Sequence, residues 1–386
     1  MQQPSHWSRR IAARAEERRL QGLWRQRHTH RPDIGLHDFA GNDYLGLAQD
    51  PRLAEAQADG AKRFGAGTGA SHLVSGHLDV HDALEQRLAE LTGRPRALLF
   101  STGYMANLGT LQALCDDTTH LFQDRLNHAS LLDGARLAGS RSRRFHHRDL
   151  DDLARLLARV PSDALKLVIS DGVFSMDGDV ADIEGLANLS ARHDAWLMID
   201  DAHGLGVLGA RGEGCAGRAR DAARVPVLVG TLGKALGTAG AFVAGSHELI
   251  EHLIQFARPY VYTTAQPPGV AAATLKALDI LAAEPERRTR ILELVRYFRH
   301  EAGRVGLPLA HSDTPIQPLL LGDSARTLRW AAALREAGFL VGAIRPPTVP
   351  PGQARLRITL SARHTHDTLD SLLETLVELQ QAERSA

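Results

Sequence analysis

The stretch Trp196-Leu197-Met198-Ile199-Asp200-Asp201-Ala202-His203-Gly204 decides how the fold is read. Four apolar residues run straight into two acids, a histidine and a glycine. Such a short run fits a strand buried on both faces and ended by a turn. Working outward, similar runs recur at 97–100, 167–170, 225–230 and 239–244, mostly separated by helical stretches. This alternation predicts a largely parallel α/β sheet with helices on both faces. Ligands of such sheets bind beyond the carboxyl ends of the strands, so the residues just after each run are the ones to read.

The chain has 386 residues, with 45 basic and 45 acidic side chains and no net charge. That length predicts two or three domains, and the charge balance argues against a general nucleic-acid binder. Two cysteines, Cys115 and Cys215, exclude a disulfide scaffold and a cysteine-rich zinc site. Their scarcity fits a reducing, cytoplasmic setting. No run approaches the roughly 18 apolar residues of a membrane span, and no apolar segment follows the first charges as in a secretory signal.

Residues 1–45 read as a helical and extended segment. Trp7, Ile11, Ala15 and Leu23/Trp24 fall near helical spacing, which predicts a surface helix docked on the body or on a second subunit. Residues 46–280 form the large α/β domain. Residues 281–386 form a smaller α+β unit, with a strand at 318–321, a helix at 325–337, a strand at 355–360 and a last helix at 366–381. Leu356, Ile358 and Leu360 share one face of the 355–360 strand. A long helix over 275–298 is interrupted near Glu284-Pro285.

Several motifs read as ordinary structure. Gly65-Ala66-Gly67-Thr68-Gly69-Ala70 lacks the spacing and the preceding strand of a dinucleotide loop, which argues against a nicotinamide oxidoreductase. His77 and His81 lie at i, i+4, but Leu78 stands where the zinc-protease motif needs Glu. They and the pairs His28/His30, His146/His147 and His364/His366 read as solvated, and no metal site is expected. Asp177-Gly178-Asp179 is too short for a calcium loop.

Only four lysines are present: Lys62, Lys166, Lys234 and Lys276. Three read as solvated or snorkelling amines. Lys234 instead follows an apolar run within Gly230-Thr231-Leu232-Gly233-Lys234-Ala235-Leu236-Gly237. Desolvation at a strand end lowers an amine's pKa and makes it a usable nucleophile. On this pattern alone, a lysine capping a turn fits as well. Asp200 ends the 196–199 run, where a carboxylate needs a cationic partner. An arginine is one such partner, and the ring nitrogen of pyridoxal phosphate is another. Ser101-Thr102-Gly103-Tyr104 opens a helix whose free N–H groups suit a phosphate. Ser175 and Thr231 are further strand-end hydroxyls, and His128 offers a ring for a flat cofactor.

Together, Asp200-Asp201-Ala202-His203-Gly204 and Gly230-Thr231-Leu232-Gly233-Lys234 resemble the α-oxoamine synthases. These are fold-type-I pyridoxal phosphate enzymes that join an amino acid to an acyl thioester with decarboxylation. The resemblance runs from about Trp7 to the last helix. Asn42-Asp43-Tyr44-Leu45-Gly46-Leu47, Tyr262-Thr263-Thr264-Ala265-Gln266-Pro267-Pro268 and Ile344-Arg345-Pro346-Pro347-Thr348-Val349-Pro350, with Arg355-Leu356-Arg357, resemble the biotin-pathway branch. That branch implies L-alanine and a pimeloyl thioester as substrates, carried on coenzyme A or on an acyl carrier protein. Sister reactions would take glycine or serine with other thioesters. A non-catalytic subunit of this fold would lack Lys234.

The resemblance also implies roles. Lys234 is the Schiff-base lysine, Asp200 faces the ring nitrogen, and His128 stacks on the ring. His203 and Ser175 approach the phenolic oxygen. Gly103, Tyr104 and Thr231 hold the phosphate. Thr263 or Thr264 reaches the phosphate of the other subunit in a homodimer with shared sites. Asn42 and Arg357 receive the amino-acid carboxylate, and Arg25 and Thr348 bind substrate. Ala40-Gly41 stand before Asn42 where the family has Ser-Ser. Arg25 is matched by its spacing within the first helix.

Overall fold

The computed structural model describes residues 5–27, 29, 35–216 and 223–385. Eleven strands are found there: β1 (His37–Phe39), β2 (Arg96–Phe100), β3 (His120–Asp124), β4 (Arg141–Phe145), β5 (Lys166–Asp171), β6 (Trp196–Asp200), β7 (Val227–Thr231), β8 (Ala241–Gly245), β9 (Ile316–Gly322), β10 (Phe339–Ile344) and β11 (Ala354–Thr359). Seven make one sheet in the order β2-β8-β7-β6-β5-β3-β4. Only β8 runs against the rest of this sheet, pairing antiparallel with both β2 and β7. The expected α/β sheet is therefore present, and each expected run lies in one of its strands.

The runs read as continuous apolar sequence because both faces of the sheet are covered. Along β6, Leu197 and Ile199 join one core cluster while Met198 joins another. Along β5, Val168 faces the first side and Leu167 and Ile169 the second. Two-residue alternation with both faces buried leaves no polar position to mark the period. β4, Arg-Ser-Arg-Arg-Phe, carries no such run for the opposite reason. It is the sheet edge, mostly exposed, and only Phe145 is buried.

A second sheet has the order β1-β10-β11-β9. β1 comes from the N-terminal segment and pairs in parallel with β10, while β11 is antiparallel to both its neighbours. Leu356 and Ile358 of β11 are fully buried in the core, as their shared face predicts. Arg355 and Arg357 alternate with them and point the other way. The 275–298 stretch resolves into two helices, Pro268–Ala283 and Glu286–Arg304, broken at Glu284-Pro285.

Four expectations need correction. The first helix, His6–Leu20, buries no residue, so it does not dock on the body of this chain. Arg25 lies past its end in an extended segment. Lys166 is a buried amine whose three donors satisfy the carbonyls of Pro161, Ser162 and Ala164. Several histidines are structural rather than solvated. His72 and His77 share a 2.9 Å hydrogen bond, and His81 is fully buried with both ring nitrogens on backbone groups. His364 stacks on Phe39, and His147 lies between two carboxylates. His28 and His30 lie outside the described residues. Among the described residues, no helix is long and apolar enough to cross a membrane.

Because Leu356 is fully buried mid-strand, Leu356→Ala is expected to cost about 2–5 kcal/mol of stability. Chemical denaturation checks this, and a cost below about 1 kcal/mol would contradict the packing described.

Candidate active site

The carboxyl ends of β3, β5, β6 and β7 share one edge of the large sheet. Three of these strands end in Asp: Asp124, Asp171 and Asp200. Asp171 and Asp200 are direct partners across β5 and β6. Burial, and then the charge of Asp200, push the Asp171 carboxyl well above the usual range. Asp171 therefore favours its neutral form beside Asp200. Asp200 is buried, and its acceptors are filled by neutral donors. Asn107 Nδ2 donates to Oδ2 at 2.6 Å, and the Ala202 N–H to Oδ1 at 3.1 Å. Among the described residues it has no salt-bridge partner.

Asn107 lies one turn into the helix Gly103–Leu114, which Thr102 caps by accepting from the Met105 N–H at 3.1 Å. The same Asn107 Nδ2 donates to Ser130 Oγ at 2.8 Å. Ser130 Oγ lies 2.7 Å from His128 Nδ1, and the His128 N–H donates to Asp171 at 2.8 Å. Asp200 and the His128 ring are thus fixed relative to one another through Asn107 and Ser130, neither of which the sequence motifs single out. Burial lowers the His128 pKa. A neutral ring can lie on a positively charged heterocycle without repulsion.

Lys234 follows β7 on the opposite side of Asp200. Its Nζ lies 2.7 Å from His203 Nε2, and His203 Nδ1 lies 2.6 Å from the Tyr44 hydroxyl. Burial, with the charges of Lys234 and Arg357, drives the His203 pKa well below its ordinary value, so this ring is neutral. An ammonium can only donate. Lys234 therefore donates to Nε2, Nδ1–H donates to Tyr44, and the Tyr44 hydroxyl donates to Asn42 Oδ1 at 3.3 Å. Arg357 Nη2 donates to the same Asn42 oxygen at 3.0 Å, and Arg357 Nε to the Ser175 carbonyl at 2.6 Å. Desolvation lowers the Lys234 pKa to about 8, although Asp200 and Asp171 act to raise it.

The structure thus gathers Lys234, His203, Asn42, Arg357 and Ser175 into one hydrogen-bonded chain, and His128 and Asp200 into a second. Tyr44 is an unforeseen member of the first, although it sits inside the quoted Asn42–Leu47 stretch. Asn107 is a polar residue inside the otherwise apolar Gly-Tyr-Met-Ala-Asn-Leu turn, and that is its signal. Gly103 starts its helix with open space around it, while Tyr104 donates to Asp133. The Thr231 hydroxyl donates to the Gly240 carbonyl and accepts from the Gly233 N–H. Arg25 donates to Thr348 Oγ1 at 3.2 Å, so these two meet away from the main chains of contacts. Thr263 is half-buried and Thr264 exposed, and neither joins the Lys234 cluster of its own chain.

A model of the aminotransferase class I and II family matches residues 35–376. The 8-amino-7-oxononanoate synthase of Chromohalobacter salexigens is 71% identical over 377 residues, covering 98% of this chain and 98% of the relative. That of Pseudomonas fluorescens is 55% identical, with 95% and 96% covered. The chain belongs to the 8-amino-7-oxononanoate synthase family. Among solved structures, a Sphingomonas wittichii serine palmitoyltransferase superposes with a TM-score of 0.90 at 31% identity, covering 99% of both chains. The Francisella tularensis 8-amino-7-oxononanoate synthase does so with a TM-score of 0.77 at 30% identity, covering 91% of this chain and all of the other. The fold is that of the fold-type-I pyridoxal phosphate transferases, and the chain is a pyridoxal-phosphate-dependent acyltransferase.

The residues present fit that cofactor. A buried carboxylate held only by neutral donors lacks a cation, and a protonated ring nitrogen supplies one. A half-desolvated amine suits an aldehyde, and an open helix start suits a phosphate.

In the cofactor-free protein, the Lys234 amine is expected to become reactive to a reductive-alkylation reagent with a midpoint near pH 8. Because Asp200 raises that value, Asp200→Asn is expected to move the midpoint lower. Mass spectrometry of the 234 peptide across pH reads both. A midpoint near the ordinary lysine value of about 10.4 would contradict the desolvated placement.

Proposed function

We propose that this chain condenses L-alanine with a pimeloyl thioester, giving 8-amino-7-oxononanoate, CO2 and the free thiol carrier. The observation that supports this best is the 71% identity to a named synthase along nearly the whole chain. The hydrogen-bonded placement of Lys234, Asn42 and Arg357 agrees with it.

Pyridoxal phosphate, when bound, supplies an aldehyde to capture the amine of alanine and a ring that accepts the charge left on its Cα. Lys234 would hold the aldehyde and yield it to the incoming amine of alanine. Its freed amine, with a pKa near 8, then takes the Cα proton and later returns one. Asp200, oriented by the Asn107 amide and the Ala202 N–H, would face the ring nitrogen and favour its protonated form. His128, whose ring Ser130 fixes, would stack on the cofactor ring. Gly103, Tyr104 and Thr231 receive the phosphate, and Ser175 and His203 approach the phenolic oxygen. Arg357 and Asn42 bind the alanine carboxylate. The pairing of two rigidly held donors with a carboxylate both selects an α-amino acid and fixes which Cα bond faces Lys234.

We further infer a homodimer in the cytoplasm. The exposed helix His6–Leu20, with Trp7 and Ile11 on its surface, is suited to the second subunit. Thr263 or Thr264 then reaches the neighbouring phosphate. Residues 46–280 act as the cofactor domain and 281–386 as the small domain. Arg25 and Thr348 are assigned to the acyl substrate, on coenzyme A or an acyl carrier protein.

Lys234→Ala is expected to abolish both turnover and the visible absorbance of the lysine-bound cofactor. Asp200→Asn is expected to keep cofactor but lose at least roughly 100-fold in kcat, the scale on which misplaced electrostatic stabilisation acts. Product formation should be seen with L-alanine and a pimeloyl thioester. Preference for glycine or serine, with acetyl, succinyl or palmitoyl thioesters, would reassign the reaction within the wider family.

A further inference from the structure

His147 follows β4, and neither its local sequence nor the reaction above gives it a task. Its Nδ1 lies 3.0 Å from Asp124 Oδ1 and its Nε2 lies 2.8 Å from Asp179 Oδ2. Both acids are largely buried, with side-chain exposures of 1% and 13%. The ring edge meets Phe174 at 4.4 Å. A neutral imidazole carries one N–H, so it cannot donate to two carboxylates; an imidazolium can. Geometry alone therefore calls for the charged form.

The two acids belong to the two loops that frame the site. Asp124 ends β3 and orders the turn to His128, accepting from the Leu126 N–H at 2.8 Å through a side-chain oxygen and from the Asn127 N–H at 3.2 Å through its carbonyl. Asp179 closes the loop that bears Ser175. Its carbonyl accepts from the Phe174 N–H at 3.0 Å, and the Phe174 carbonyl accepts from the Gly178 N–H at 2.7 Å. Arg357 rests on the Ser175 carbonyl of this same loop. The adjacent Arg148 reinforces the junction, donating its N–H to Asp124 at 2.8 Å and its guanidinium to Asp179 at 3.1 Å. It does so at a φ of +56°, a conformation uncommon for a residue with a Cβ. Such outliers persist only where the surroundings over-determine them.

We propose that the His147 imidazolium is a positioning residue of this reaction: by bridging Asp124 and Asp179 it holds the His128 turn and the Ser175 loop at their working separation. It touches neither substrate nor cofactor. The charged groups facing it are Asp124 from β3, Asp179 from the Ser175 loop and Arg148 beside it. Burial pulls its pKa down, but the two carboxylates together outweigh burial and raise it to about 9. The sign follows from that direction. The bridge is present in full below the ordinary value of about 6.5 and is lost as pH rises through about 9.

The test is the ratio of wild-type to His147→Gln kcat/KM for L-alanine, measured on holoenzyme from pH 7 to 10. At pH 7.5 the expected loss is roughly 10- to 100-fold, the scale of a misplaced site. The ratio is expected to shrink toward one above pH 9, because the wild type then loses its imidazolium too. Full loss with a ratio flat across pH would mean a packing role and would overturn the proposal, as would no loss at pH 7.5. Asp179→Asn removes one of the two acids that raise His147, so its alkaline limb should move to lower pH; an unmoved limb overturns the proposal independently of how His147→Gln folds. This inference rests on the alanine reading, but the two fail separately. Wild-type turnover tests the reaction, and the ratio tests His147.

Discussion

The site depends on one buried carboxyl group, Asp200, that neutral donors hold and, among the described residues, no salt bridge reaches. Asp200 stands at the end of a strand covered on both faces, where an unpaired carboxylate is costly. Three arrangements surround it. Asn107 and the Ala202 N–H fill its lone pairs without adding charge. Asp171, its partner on β5, is pushed to the neutral form and so adds no like charge beside it. Asp124, one strand farther along, faces His147. In the proposed reading, a protonated ring nitrogen would meet an acid with no competing cation in contact, which is the condition for a ring that draws electrons.

The second constraint is that the substrate groups come from separate parts of the chain. Lys234 belongs to the turn after β7, His203 to the turn after β6, Asn42 and Tyr44 to the N-terminal segment, Arg357 to β11 and Ser175 to the loop after β5. One line of hydrogen bonds joins all of them. The second sheet exists, in functional terms, to bring Arg357 across. Leu356 and Ile358 bury one face of β11, which forces Arg355 and Arg357 onto the other. Arg355 then pairs with Asp177 at 2.6 Å, and Arg357 takes the Ser175 carbonyl two residues away. Both arginines are almost fully buried, so breaking either contact would leave a desolvated cation without its partner.

This arrangement accounts for what is legible in the sequence and what is not. β2, β5, β6, β7 and β8 are legible because a continuous apolar run of four to six residues is too short for a helix and fits a strand covered on both faces. β3 is not, because His120, Gln123 and Asp124 interrupt its apolar run although all three are buried. The pairing of Lys234 with Asp200 is legible because both sit where strands end. The alternation in 355–360 already places Arg357 on a polar face. β4 is illegible because an edge strand need not be apolar, and β1 because three residues carry no period. Asn107, Ser130 and Tyr44 are illegible as site residues because their roles arise from contacts between elements far apart in the chain. The histidines mislead for a related reason. A polar local sequence says nothing about a partner 23 or 32 residues away, which is where His147 finds Asp124 and Asp179.

The same contrast bears on how the site tolerates change. The groups proposed to meet the cofactor are held by neutral hydrogen bonds, as with Asp200 to Asn107 and His128 to Ser130. The loops that carry them are held at their outer ends by charge, as with His147 and Arg148 on Asp124 and Asp179, and Arg355 on Asp177. Neutral contacts inside add no further charge beside Asp200 and the His128 ring. Charged contacts outside resist displacement without projecting a new field onto the reacting carbon, because each cation there is matched by its own acid. Substituting an outer group should therefore disturb position, while substituting an inner one should disturb charge. A split of this kind lets one scaffold vary its substrates at the rim and keep the chemistry at Lys234 unchanged.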